Sequence, residues 1–168
     1  MTAISVTCML PSSTRDALFI YSSDFIKRPE FYAVASSFIL LFFVLFLYSR
    51  KRSVGISQSL WIVYLFGISV VEEIAFRLAV PLILSGITTS LIAVLISNCL
   101  FASLHYFTLR WKLIPCLFTF FGGVGFARLL DTTENLLMVI LCHWLITFLN
   151  TPTPPEYRNS NHPKKRII

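Results

Sequence analysis

Charge is what this sequence has least of. Lys and Arg number 14 and Asp and Glu 8 among 168 residues, or 13% together. That is too little to cover a soluble domain, whereas hydrophobic residues reach 56% and Phe alone numbers 16. Mean hydropathy is +0.76. One domain of this length has no interior large enough to hide so much apolar surface, but a bilayer solvates it. Cysteine is sparse too. Cys8, Cys99, Cys116 and Cys142 form no CxxC pair, and three of them sit in apolar runs; this argues against a disulfide framework or a structural zinc site. The zinc-protease pattern HExxH is missing. So is any internal repeat of the kind that builds secondary transporters. Met1–Leu10 lacks the basic start and long apolar centre of a signal peptide. The net charge of +6 does not point to nucleic acid, because the basic residues lie between apolar runs, where they read as topology signals.

What is present is a series of long apolar segments. Spans are predicted at 31–48, 60–84, 91–109, 113–130 and 136–149, the last of them short. The fold class is therefore all-α, a polytopic membrane helix bundle of about five transmembrane helices. Residues 1–30 form an N-terminal arm with an expected interfacial helix near Ala17–Phe25. Residues 31–150 form the transmembrane domain, and 151–168 a basic, Pro-rich tail expected to be disordered. Pro81 and Gly86 are expected to bend or end the second span. Gly122, Gly123 and Gly125 are expected to give the fourth a face for close helix approach. The basic turns at 50–52 and 110–112 alternate with turns that carry no Lys or Arg. The positive-inside rule then places those basic turns and the C-terminus in the cytosol.

Nearly all charges fall in loops, which makes the exceptions informative. Glu72, Glu73 and Arg77 lie deep in the second span, His105 in the third and His143 in the fifth, while Arg128 is near a helix end and can snorkel. Ionisable groups cost at least a few kcal/mol at a helix centre and usually face the bundle interior, so five on three helices suggest one shared site. Glu73 and Arg77, four apart, suit a charge-assisted pair, whereas Glu72 is rotated by about 100° and points elsewhere. Asn98, Phe101 and His105 share one stripe of the third span, and His143, Thr147 and Asn150 one stripe of the fifth. Two histidines and a free carboxylate, Glu72 with His105 and His143, suit either metal-free water activation or a divalent metal such as zinc. The blander alternative is that Glu73–Arg77 only fixes packing and Asn98 only joins helices.

The residues themselves carry a resemblance. Glu72 to Arg77 reads EExxxR, Phe101 to His105 reads FxxxH, and His143 stands on the last apolar helix. In order and spacing, residues 58–150 resemble the CAAX prenyl protease and bacteriocin-processing family of intramembrane proteases. The resemblance implies a protease-like core with Glu72 as general base and Glu73 with Arg77 as the pair that holds the site together. It further implies that His105 binds the attacking water, or a metal in the metalloprotease view, and that His143 stabilises the oxyanion. The family pattern has Asn four residues after the last histidine; this chain has Thr147 there and Asn150 one turn on. The implied function is an intramembrane endopeptidase acting on a membrane-associated peptide or protein substrate, prenylated or not. The alternative is a non-catalytic relative acting as an immunity or partner-binding membrane protein. The partners in either case are the lipid bilayer and a peptide or protein, not nucleic acid.

Overall fold

The computed structural model describes residues 27–52 and 54–154 and, within the arm, Ala17, Ile20 and Tyr21. The expected interfacial helix, apart from those three residues, and the tail from residue 155 lie outside the described residues. Five helices follow in order: α1 (Pro29–Ser49), α2 (Ile56–Ser85), α3 (Ser90–Leu109), α4 (Leu113–Thr133) and α5 (Leu136–Asn150). There is no strand among the described residues. The first four are long and apolar enough to cross a membrane, and the 15-residue α5 is the short one. The chain is an integral membrane protein with an all-α fold.

Local chemistry sets the helix ends. Pro29 and Glu30 open α1, where a missing N–H is harmless and an acidic group meets the positive helix end. At its other end Lys51 turns left-handed at φ 54. Lys51 N–H bonds the Tyr48 carbonyl and Arg52 N–H the Leu47 carbonyl, both at 2.9 Å. This is the double bond pattern that uses up a helix's last carbonyls. Thr89 Oγ1 caps α3 by accepting from Ile92 N–H, and Asn135 Oδ1 caps α5 by accepting from Met138 N–H at 3.0 Å. Arg110 and Glu134, also left-handed, stop α3 and α4.

The shortest helix is the hub. One side of α5 packs Leu141, Trp144 and Phe148 against Tyr32, Phe43 and Leu47 of α1 and Ile62 and Leu65 of α2. Nearer its start, Leu136, Val139 and Ile140 meet Leu78 of α2 and Leu130 of α4. The α3 helix lies against α4 and the second half of α2. Both ends of α5 are tied. Gln58 Nε2–H and Trp61 Nε1–H donate to the Pro152 and Thr151 carbonyls at 2.7 and 2.8 Å, and Asn135 Nδ2–H donates to the Tyr32 hydroxyl. Large side chains such as Phe38, Phe107 and Phe118 face outward, where lipid replaces the packing that a soluble core would supply.

Candidate active site

The site begins with a change of helical register. From Ile74 to Ala79, α2 is a π-helix, and the N–H of Val80 bonds the carbonyl of Ala75, five residues back. The next bond in that register would run from Pro81 to Phe76, and proline has no N–H to give. Ser97 of α3 supplies the missing donor, with its hydroxyl 2.7 Å from the Phe76 carbonyl. Pro81 therefore does not end the span; the helix runs on to Ser85 and stops at Gly86, the other residue expected to end it. The widened turn follows directly on Glu72 and Glu73 and carries Arg77, the kind of insertion often found at functional sites.

Glu73 is fully buried and sits at the centre of a chain of polar groups. Arg77 Nε lies 3.1 Å from Glu73 Oε2, an ion pair with both side chains 0% exposed, although its N–H is not aligned on the oxygen. Glu73 Oε1 lies 2.6 Å from His143 Nδ1. An ionised carboxylate only accepts, so Nδ1 carries a hydrogen toward Glu73, and Nε2 faces outward. There it meets Glu72, whose Oε2 is 3.5 Å away and whose side chain is 25% exposed. One imidazole thus addresses both glutamates. The guanidinium of Arg77 lies 5.0 Å over the Phe101 ring and 5.8 Å over that of Phe126. Phe101 and Phe126 also flank the His143 ring, at 6.1 and 5.3 Å. His105 donates from Nδ1 to the Phe101 carbonyl at 2.9 Å, which leaves its Nε2 without a hydrogen bond among the described residues, and it is within electrostatic reach of Glu72. Trp111 lies against its ring at 5.1 Å.

Most of the residues singled out from sequence come together here, with some changes. Glu72 makes no ion pair with Arg77 and meets His143 instead. Glu73, expected to serve Arg77, reaches the same ring: its two nitrogens lie on different edges, so two carboxylates about 100° apart on a helix can both reach it. The three glycines of α4 do not share a face either. Only Gly123 is tightly approached, while Gly122 and Gly125 meet open space, as the angular spacing of successive helical residues requires. Asn98 is fully buried next to Gly123. Thr147 is half-buried, with no hydrogen bond from its hydroxyl among the described residues, and Asn150 is exposed at the end of α5. Glu72, His105 and His143 do not converge as metal ligands: no group of three His, Cys, Asp or Glu side chains among the described residues is placed to hold an ion. An open catalytic zinc site needs three such ligands, which the described residues do not bring together. Sequence reasoning missed the π segment and the rings of Phe126 and Trp111. Pro81, four residues after Arg77 in an apolar run, was the available signal for the first.

Comparison with curated proteins and with solved structures finds no match. The family model for type II CAAX prenyl endopeptidase Rce1-like proteins matches residues 55–149, more than half of the chain. That range runs from the start of α2 to the end of α5 and contains Glu72, Glu73, Arg77, His105 and His143. With EExxxR, FxxxH and His143 on three of the matched helices and both glutamates on the His143 ring, the chain belongs to the Rce1-like type II CAAX prenyl endopeptidase family.

Proposed function

We propose that the protein is an intramembrane endopeptidase that cleaves a membrane-associated peptide, its best substrates ending in a prenylated C-a-a-X sequence. The observation that carries this is His143 held between two glutamates of unequal exposure. Glu73, locked by Arg77, keeps the ring in one orientation with Nδ1–H toward it, much as a buried carboxylate orients a catalytic histidine elsewhere. Glu72, on the accessible side, takes a proton from water as its oxygen attacks the scissile carbonyl carbon. The Nε2 of His105 accepts the water's other hydrogen and orients it. As negative charge develops on the carbonyl oxygen, His143 acts as an imidazolium, its Nδ1–H held by Glu73 and its Nε2–H donating to that oxygen without leaving the ring. Glu72 then returns its proton to the departing amine nitrogen as the C–N bond breaks. With the basic turns and the end of α5 on the cytosolic side, as the positive-inside rule has it, His105, near the end of α3, would lie toward that side.

The non-catalytic reading is favoured by one feature, Thr147 in place of the family's Asn. A cleavage assay separates the two. Purified protein is offered peptides ending in a prenylated Cys and three further residues, beside their unprenylated counterparts. The parent cleaves the prenylated set, while Glu72→Gln accumulates equally in the membrane and cleaves nothing. An active Glu72→Gln variant overturns the mechanism, and a folded parent that cleaves no peptide leaves the partner-binding reading in place.

A further inference from the structure

Arg77 is only half provided for. Its Nε faces Glu73, but Nη1 and Nη2 are buried without a hydrogen-bond partner among the described residues. Stacking over Phe101 and Phe126 serves the face of the guanidinium and not its N–H edge. Unpaired donors in the interior of a membrane bundle are costly, so an acceptor is to be expected close by. One is there. Asn98 of α3 is fully buried, and its Nδ2 donates to the Val94 carbonyl at 2.8 Å. That bond fixes the amide so that Oδ1 turns the other way, where it too has no partner. A Cβ added to Gly123 of α4 would overlap Asn98 Oδ1 and stand 3.3 Å from Arg77 Nη2. The orphan acceptor and the orphan donor therefore look into the same small space, and it exists because residue 123 has no side chain.

We propose that Asn98 is a positioning residue for the site, its Oδ1 accepting from Arg77 Nη2 across the bare face of Gly123. The contact extends the chain His143–Glu73–Arg77 from α5 and α2 into α3, with α4 supplying the space. Arg77 held on both sides keeps Glu73 aimed at His143 Nδ1, and so keeps Nε2 aimed at the scissile carbonyl. The effect on turnover rests on the endopeptidase reading above; the contact itself does not.

Two measurements test it on the full-length protein in detergent micelles. The first needs no activity: the downfield Nδ1–H proton resonance of His143 reports its bond to Glu73. Asn98→Leu, similar in size but without an acceptor, shifts or broadens that resonance, and Asn98→Asp restores it. Gly123→Ala does the same as Asn98→Leu, and adding Gly123→Ala to Asn98→Leu changes nothing further. The second is kinetic. Asn98→Leu lowers kcat by about tenfold or more with KM little changed, as misplacement of a catalytic group does, and Asn98→Asp recovers most of it. An unmoved His143 resonance in folded Asn98→Leu overturns the proposal whether or not the parent cleaves peptides. So does a loss of thermal stability in Asn98→Leu with the resonance and kcat both intact, which is what simple helix packing would give. A parent without activity but with the resonance responding as described removes the endopeptidase reading and leaves the contact standing.

Discussion

The two sides of α5 are built by opposite rules, although Trp144 and His143 are neighbours in sequence. On the Trp144 side, the rings of Phe43 and Phe148 stack at 3.8 Å, Trp144 stands edge-on to Phe43 at 5.0 Å, and its indole N–H reaches the Ile62 carbonyl at 3.0 Å. The contacts there are ring against ring, and the one indole N–H among them is paired. On the His143 side, two carboxylates, an imidazole and a guanidinium share a small space, and several of their polar atoms lack aligned partners. Removing charges from such a place and packing it with apolar groups would often stabilise a fold. The contrast teaches that one side of the helix is arranged for holding α1, α2 and α5 together, and the other for holding reactive groups in one geometry.

Breaking the polar side in the wrong place should do most damage. Glu73→Gln leaves Arg77 buried without its counter-charge, a change that typically costs about 3–5 kcal/mol. The expected result is a sharp fall in membrane accumulation and in the unfolding temperature of what remains, whereas Glu72→Gln, one residue away but partly exposed, keeps both. Equal losses in the two variants would erase the distinction drawn between them. On the apolar side, Phe148→Ala should lower the unfolding temperature but leave kcat of the folded fraction unchanged. Its cost should fall below the roughly 3–5 kcal/mol such a truncation carries in a soluble core, because lipid solvates the freed surfaces. Phe118→Ala, outward-facing, should do almost nothing.

Smaller effects sharpen the picture at the join between the two sides. Ser97→Ala removes the hydroxyl that stands in for the N–H of Pro81 and should cost about 1 kcal/mol in stability. Pro81→Ala in the same background returns an N–H to Phe76 and should recover it; no recovery would mean that the serine is not compensating for the proline. The smallest expected change is at Thr147. Thr147→Asn should leave stability unaltered and preserve or raise turnover, since an amide reaches further than a hydroxyl toward a developing oxyanion. If Thr147→Asn and Thr147→Val both turn over like the parent, residue 147 takes no part.

Much of this was legible in the order of residues, for a physical reason. A helix in lipid must satisfy its own backbone and needs a long apolar run to do so, and both requirements are local. The five helices accordingly fall close to the predicted segments, with ends marked by Pro29, Thr89, Asn135 and the basic turns. Rare charges in such runs are conspicuous, so Glu72, Glu73, Arg77, His105 and His143 stood out before any geometry. Helical periodicity served less well where contacts cross between helices. It separated Glu72 from Glu73, yet His143 reaches both. It grouped His143, Thr147 and Asn150 on one stripe, yet α5 ends at Asn150, which leaves that side chain exposed while His143 is buried.

The sequence by itself determined the medium, the succession of helices among the described residues and the identity of the polar groups, because each follows from the hydropathy of a continuous stretch of chain. The tertiary structure alone decided which partners those groups have. Only the approach of α3 provides Ser97 for the carbonyl opposite Pro81 and so sustains the π turn that carries Arg77. Only the crossing of α2 and α5 places both glutamates on one imidazole. Only the near contact of α3 and α4 makes Gly123, and not Gly122 or Gly125, the position where a side chain has no room. These are meetings between residues far apart in sequence, and their geometry depends on how whole helices pack, which no local pattern encodes.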